Sequence, residues 1–450
     1  MTECIQSGFE FAGPGRRTVV ARFDGGTMSS DGGALLLRQT DQRLNLVARA
    51  AACFQDRRKP WLIEHQVEEL LAQRVYGLAL GYEDLSDHDQ LRQDPLLALL
   101  SGKQQVDRPL AGKSTLNRVE LSTAQPSRYK KVHCRGETLD ELLTAVFVEA
   151  HPQPPEQIVL DLDVTDLALH GHQEGRFFHG FYDSYCYLPL YIFSGEHLLC
   201  ARLRTAGQDA SAGSKQEVER IVKQIRQAWP QVQIMLRADS GFCREELMRW
   251  CEENGVDYVF GLARNERLRG LIDEEMAEAA RQQQQTQQPA RVFAEFSYQT
   301  HNSWSRARRV VAKAEQLAGK ENPRYVVTSL PAENWPAQQL YEELYCQRGE
   351  MENRIKEQLW LFAARVSAET LAANQVRLYF SALAYVLLHG LRRLGLRGTE
   401  WARAQAPTLR LRLLKIAARI RITARKVWVS LPSSYPLQRV FAHAWGQLRS

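Results

Sequence analysis

The stretch Gln157–Gly171, QIVLDLDVTDLALHG, decides the fold. Side chains of an extended chain alternate between faces. Ile158, Leu160, Leu162 and Val164 therefore fall on one side, and Val159, Asp161, Asp163 and Thr165 on the other. Two aspartates point the same way from an otherwise apolar strand. Buried carboxylates are costly unless their charge is answered, and neighbouring like charges raise each other's pKa. Backbone amides near a sheet edge are one answer. A divalent cation is the other, and magnesium, which takes a few carboxylate oxygens with water and phosphate oxygens, suits such a pair.

Working outward, a Gly- and His-containing stretch, HGHQEGRFFHGFYDSY, is followed by YLPLYIFS and HLLCARLR as second and third strands. SKQEVERIVKQIRQAWP has helical periodicity, QIMLRADS reads as a fourth strand, CREELMRWCEENG as a helix closed by Gly255, and VDYVFGLA as a fifth strand. Three strands, then helix, strand, helix and strand predict an α/β sheet flanked by helices. Over 264–340, RQQQQTQQPARV reads as a mobile Gln-rich loop, while RVFAEFSYQ, RARRVVAKAEQ and RYVVTSLP read as a small β insertion after the fifth strand. Residues 1–155 read as mostly helical, through DGGALLLRQTDQRLNLVARAAACF, WLIEHQVEELLAQRVYGLALG and ETLDELLTAVFVEA, up to a boundary at the proline-rich HPQPPEQ. Long helices resume near Gln339, giving 341–390 as the last helices of the core and 391–450 as a basic helical region.

The net charge of +6 matters through its distribution. Leu391–Lys426 holds eleven Arg or Lys residues against one acid, Glu400. A basic block interleaved with Leu, Ile and Trp fits a polyanion, nucleic acid first; Arg392, Arg393, Arg410, Arg412 and Lys415 are its candidate DNA contacts, and a solvated helix face is the alternative. Eight cysteines without a C-x-x-C pair suggest a reduced cytoplasmic protein rather than a disulfide framework or structural zinc site. The first residues lack a signal-peptide pattern, and FSALAYVLLHGL from Phe380 is too short an apolar run for a membrane span.

Two further acids stand out. Asp239 ends an apolar strand at the turn Ser240–Gly241, where α/β sheets place their ligands; a helix N-cap is the other use of Asp at such a turn. In YCQRGEMENRIKEQLWLFAAR, the residues Tyr345, Arg348, Glu352 and Lys356 share one helical stripe. That stripe is either a surface ion-pair ladder or a set that brings Glu352 to a metal, with Arg348 and Lys356 on phosphates and Tyr345 against a DNA backbone.

The order D-x-T, A-D-S, β insertion and Y-x2-R-x3-E resembles bacterial insertion-sequence transposases of the DDE superfamily. DGGALLLRQTD, HGHQEGRFFHGFYDSYCYLPL, RADSGF, YCQRGEMENRIKE and TLRLRLLKIAARIRITARKVW resemble DDE transposase group 1, the insertion-sequence family thirteen-eighty, over nearly the whole chain. The resemblance implies an RNase H-like mixed sheet with a helical N-terminal DNA-binding region. It places the catalytic acids on Asp163, Asp239 and Glu352; Asp161 is an extra carboxylate that leaves the first assignment open as a metal ligand. Related enzymes often carry a lysine seven residues after the glutamate, where this chain has Leu359, so Lys356 is the substitute candidate. The implied chemistry is two-metal (Mg²⁺, with Mn²⁺ able to substitute) cleavage at terminal inverted repeats and strand transfer to target DNA, by a homodimer holding two ends. The competing readings are a metal-dependent RNase H-like nuclease without strand transfer and an inactive, domesticated DNA-binding protein.

Overall fold

The aspartate-bearing run forms strand β1 (Gln157–Val164). β2 (Leu190–Ser194) pairs antiparallel with it, and β3 (His197–Arg202) pairs antiparallel with β2. On the other side β4 (Gln233–Ala238) runs parallel to β1, and β5 (Asp257–Leu262) parallel to β4. The order β3-β2-β1-β4-β5, three antiparallel strands and then two parallel ones, is the RNase H-like arrangement that the resemblance implied. This computed structural model describes residues 8–122, 125 and 127–449.

The apolar face of β1 does what its alternation predicts. Ile158, Leu160 and Leu162 are buried with Leu190, Ile192 and Leu236 and with Val218, Ile221, Val222 and Ile225. These last four lie on the apolar stripe of a helix, Ser214–Ala228, that crosses from β3 to β4. Burying each such aliphatic side chain is worth roughly 1.5–3 kcal/mol.

The expected insertion strands do not stand apart. β6 (Ala290–Tyr298), β7 (Arg308–Leu317) and β8 (Arg324–Thr328) continue the same sheet, β8 pairing antiparallel with β5, β7 with β8 and β6 with β7. Nor is the Gln-rich patch mainly a loop: Gln282, Gln283, Gln284 and Gln285 form the last turns of the helix Asp273–Thr286, anchored by buried Met276 and Ala279, and only Gln287 and Gln288 follow its end. Glutamine is a good helix former, so an anchored helix carries the run.

Past β8 the chain is helical from Ala337 to Trp360, but not uniformly. A wide π turn at Leu340–Tyr345 and a tight turn at Cys346–Arg348 precede α1 (Gly349–Trp360). The helical segment Leu371–Gly395 is longer than its apolar core suggested, and by length and composition it could cross a membrane; 78% of its most apolar window is buried inside the protein, as in a core helix. Between β1 and β2 the chain adds a small sheet of Leu167–Ala168, Phe177–His179 and Ser184–Tyr187, with the last strand in the middle.

The chain divides into two units, one of residues 120–124 and 134–382, the other of 1–119, 125–133 and 383–450. The helix Gly136–Glu149, expected on the N-terminal side of a boundary at 155, belongs to the unit of the core sheet: its Phe147 is buried in that core. In the other unit, the Gly32–Gly33 pair marks a close backbone approach. A Cβ on Gly33 would overlap the Leu413 carbonyl oxygen at 1.9 Å, and Gly32 N–H donates to Ile416 O at 2.7 Å. The basic tail is also not wholly helical: Ala418–Ile422 and Val427–Ser430 form a hairpin that pairs with Met28–Ser29.

Candidate active site

Strand register answers the question raised by the two aspartates. β4 places Arg237 directly beside Asp161 on β1. Arg237 Nε donates to Asp161 Oδ1 at 2.6 Å and Nη2 to Oδ2 at 2.9 Å, while Nη1 donates to the Leu344 carbonyl oxygen at 2.6 Å. Both side chains are buried. Burial pushes the Asp161 carboxyl above its ordinary value, and the guanidinium pulls against it. A two-bond pair therefore neutralises Asp161 without a metal, and the same arginine ties the π turn to the sheet.

Asp163 is in a different position. Its Oδ1 accepts from Val164 N–H at 2.8 Å and its Oδ2 from Arg348 Nη1 at 3.0 Å. Its carboxyl is pushed up to about 6, first by burial and then by the negative charges of Asp239 and Glu352, with Arg348 opposing. Asp239 follows the end of β4, and its Oδ1 accepts from Gly241 N–H at 2.8 Å, so it caps the Ser240–Phe242 turn. Glu352 lies in the first turn of α1, exposed to solvent. Arg348 feels Asp163, Asp239 and Glu352 together. Acids 76 and 189 residues beyond Asp163 in sequence thus act on it, and all three act on one guanidinium.

Tyr345 completes the arrangement. It lies against Gly261 of β5, where a Cβ would meet the phenol oxygen at 2.6 Å and Ser240 N at 2.9 Å. Burial raises its phenol, which also takes a hydrogen bond from Arg348. A cleft of about 740 Å³ opens beside these groups, with Asp239, Tyr345 and Arg348 on its lining together with Arg264, Lys320 and Arg324. Lys356 is exposed on α1. The surface ladder does not form: Glu352 pairs with neither Arg348 nor Lys356, and Arg348 turns to Asp163 instead.

Asp163, with the charges of Asp239 and Glu352 acting on it and all three acting on Arg348, gives a set of hard oxygen donors whose chemistry fits a divalent cation. Among the described residues no three His, Cys, Asp or Glu side chains are grouped to hold a metal ion as they stand. Arg348 supplies the opposing charge. Sequence reading missed Arg237, Gly261 and the cations across the cleft. Arg237 had a signal, being a charge inside the apolar run of β4; Gly261 had none, because its need comes from a side chain 84 positions away.

In the other unit the basic candidates divide. Arg392, expected at a DNA surface, is buried, donates to Ala404 O at 3.2 Å and lies over the Tyr385 ring. Arg410 is likewise turned inward, donating to Ala79 O and Leu78 O at the end of the helix Val67–Leu80. Lys415 pairs with Asp31 at 2.7 Å. Burial, with Arg43 nearby, lowers the Arg393 guanidinium. Arg412 is exposed. So are Arg419, Arg421, Arg425 and Lys426 on the terminal hairpin, where Arg421 and Lys426 lie over the exposed Trp428 ring.

Compared with known families, residues 11–450 match the family model "Transposase DDE domain group 1". The chain is a member of the DDE transposases of group 1. Enzymes of this family are nucleases and transposases that generally use divalent metal ions. No curated protein matches the transposase. Among solved structures it is similar to the piggyBac transposase synaptic complex with hairpin DNA, at 10% identity over 85% of this chain and 79% of that one, with a TM-score of 0.40.

Proposed function

We propose that this transposase binds the terminal inverted repeats of its insertion sequence, cuts there with Mg²⁺ and joins the freed ends to target DNA. The observation that carries this reading is that Asp239 and Glu352 act electrostatically on Asp163, and all three on Arg348. These three residues would hold the metal ions, which supply activation of water or a 3′-hydroxyl and stabilisation of the leaving oxygen. Asp161 is assigned to Arg237 rather than to a metal, since both of its oxygens already accept from that side chain.

The chain's own groups do the positioning. Arg348 presents a planar donor fork suited to a phosphate, and DNA entering the cleft gives it a partner other than Asp163. Tyr345, seated on Gly261, holds the side of the cleft that borders Asp239. Arg264, Lys320 and Arg324 supply positive charge on that cleft for the strand running through it, and Lys356 supplies it on the exposed face of α1. In the other unit Arg412 and the hairpin Arg419–Lys426 offer exposed cations with Trp428 for DNA grip. The transposase acts as a homodimer that brings two ends together, in the bacterial cytoplasm.

The test is a labelled donor oligonucleotide carrying the element's terminal repeat, incubated with target plasmid and Mg²⁺. Joined donor–target product supports the reading. Cleavage without joining leaves a nuclease, and DNA binding without either leaves a domesticated binding protein.

A further inference from the structure

The small sheet between β1 and β2 carries an aromatic surface that the proposed chemistry leaves unused. Phe178 and Tyr185 stand directly opposite each other across it, their rings edge-to-face at 5.5 Å, and the Arg176 guanidinium lies 4.7 Å from the Tyr185 ring centre. At the turn, Phe181 is 84% exposed and meets the Tyr182 ring at 5.0 Å. Phe178 and Tyr185 are exposed as well. Exposed aromatic side chains gathered on one element mark a contact surface.

This element is fixed at its base. Gln173 Nε2 donates to Val366 O at 3.2 Å, Glu174 N–H to Glu369 O at 2.8 Å, and Leu371 N–H to Glu174 Oε2 at 2.9 Å. It leaves β1 four residues after Asp163 and is thus tied both to the strand of one acid and to the chain that follows the helix of another. Tyr182, packed beside Cys186, Leu188 and Ala206, lies within electrostatic reach of Asp163 and Asp239. Tyr182, which the Phe181 ring meets, thus joins this surface to the acids.

We propose that Phe178, Tyr185 and Phe181, with Arg176, form a stacking platform for unpaired bases next to the cut. Aromatic faces stack on any base, and a neighbouring arginine adds a phosphate or cation–π contact. The proposal rests on the reading that these acids cut DNA, and it goes beyond that reading by assigning the platform to a single strand.

The test uses the full-length protein with a 30-nucleotide single strand containing 2-aminopurine and with its blunt duplex. Wild type should quench 2-aminopurine in the single strand. Phe178→Ala with Tyr185→Ala should lose that quenching and weaken single-strand binding at least tenfold, with duplex affinity kept within twofold. Phe178→Leu with Tyr185→Leu, which keeps apolar area but no ring, should behave the same way. Equal losses on both DNAs, or no loss on either, overturn the platform. So does a shift from dimer to monomer in sedimentation of the variant, which would mean that a second copy covers the surface. Glu352→Gln should abolish plasmid nicking and leave the quenching intact. Nicking by a wild type that shows no quenching removes the platform alone; a wild type that neither binds nor nicks DNA removes both readings.

Discussion

Asp161→Asn separates a structural aspartate from a catalytic one. In the wild type both Asp161 oxygens take a hydrogen bond from Arg237, and both residues are buried. The substitution keeps the shape and one acceptor but leaves a buried guanidinium without its counter-charge. Breaking one side of such a pair costs roughly 3–5 kcal/mol. At about 2–4 °C per kcal/mol for a unit of this size, the melting temperature should fall by something on the order of 6–20 °C. Because Arg237 also holds Leu344 O, the π turn ahead of Arg348 should loosen with it. Removing both charges, as Asp161→Leu with Arg237→Met, should recover most of the loss, since apolar replacements of buried pairs are often neutral. The assay is thermal or urea unfolding, run beside Mn²⁺ titration of the folded variants. Asp161→Asn that melts with the wild type and loses Mn²⁺ as fully as Asp163→Asn would refute the reasoning and return Asp161 to the metal.

Gly261→Ala places a methyl 2.6 Å from the Tyr345 oxygen. Nicking should fall tenfold or more, about 1.4 kcal/mol or more of barrier, and melting should fall as well, because backbone Ser240 N stands 2.9 Å from the same methyl; Tyr345→Phe in the same chain should restore part of the nicking. Asp163 titrates near 6 against an ordinary 3.8, so it is protonated in the fold and ionised in the unfolded chain between these values. Stability then decreases as pH rises through that window, by an amount on the order of 3 kcal/mol at most. A divalent cation offsets the penalty only when the group is ionised, so Mg²⁺ should raise the melting temperature more at pH 7.5 than at pH 5, and Asp163→Asn should abolish that difference. Arg421→Ala and Arg425→Ala, on the exposed hairpin, should each lower the slope of log affinity against log salt by about 1 if they contact phosphates; an unchanged slope assigns the hairpin no DNA role.

Local pattern fixed the five core strands, because each carries its own alternation and its own turn residues. It also put Asp161 and Asp163 on one face, where they are. What it could not give was the partner of each: Arg237 meets Asp161 through the register of two parallel strands 76 residues apart, and Arg348 meets Asp163 across 185. The β insertion was read as strands, which it forms; that they continue the core sheet was not legible, since nothing within Arg324–Thr328 tells that it pairs with β5. The Gln-rich run was taken for a loop on composition, and it took buried Met276 and Ala279 to show that it ends an anchored helix. In the tail, the alternation of Arg419, Ile420, Arg421 and Ile422 went unread in a region taken as helical, and the density of basic charge drew attention to residues that the fold turns inward.

The most direct measurement is single-turnover nicking of supercoiled plasmid with Mg²⁺ by Asp163→Asn, Asp239→Asn and Glu352→Gln, alone and in pairs. Side chains that serve one reaction centre lose nearly everything at the first substitution. Each single variant should therefore be at least a thousandfold slower than wild type, and each double variant no slower than its worse parent. A single variant that nicks at the wild-type rate, or losses that multiply in the pairs, would show that the three acids do not act as one site.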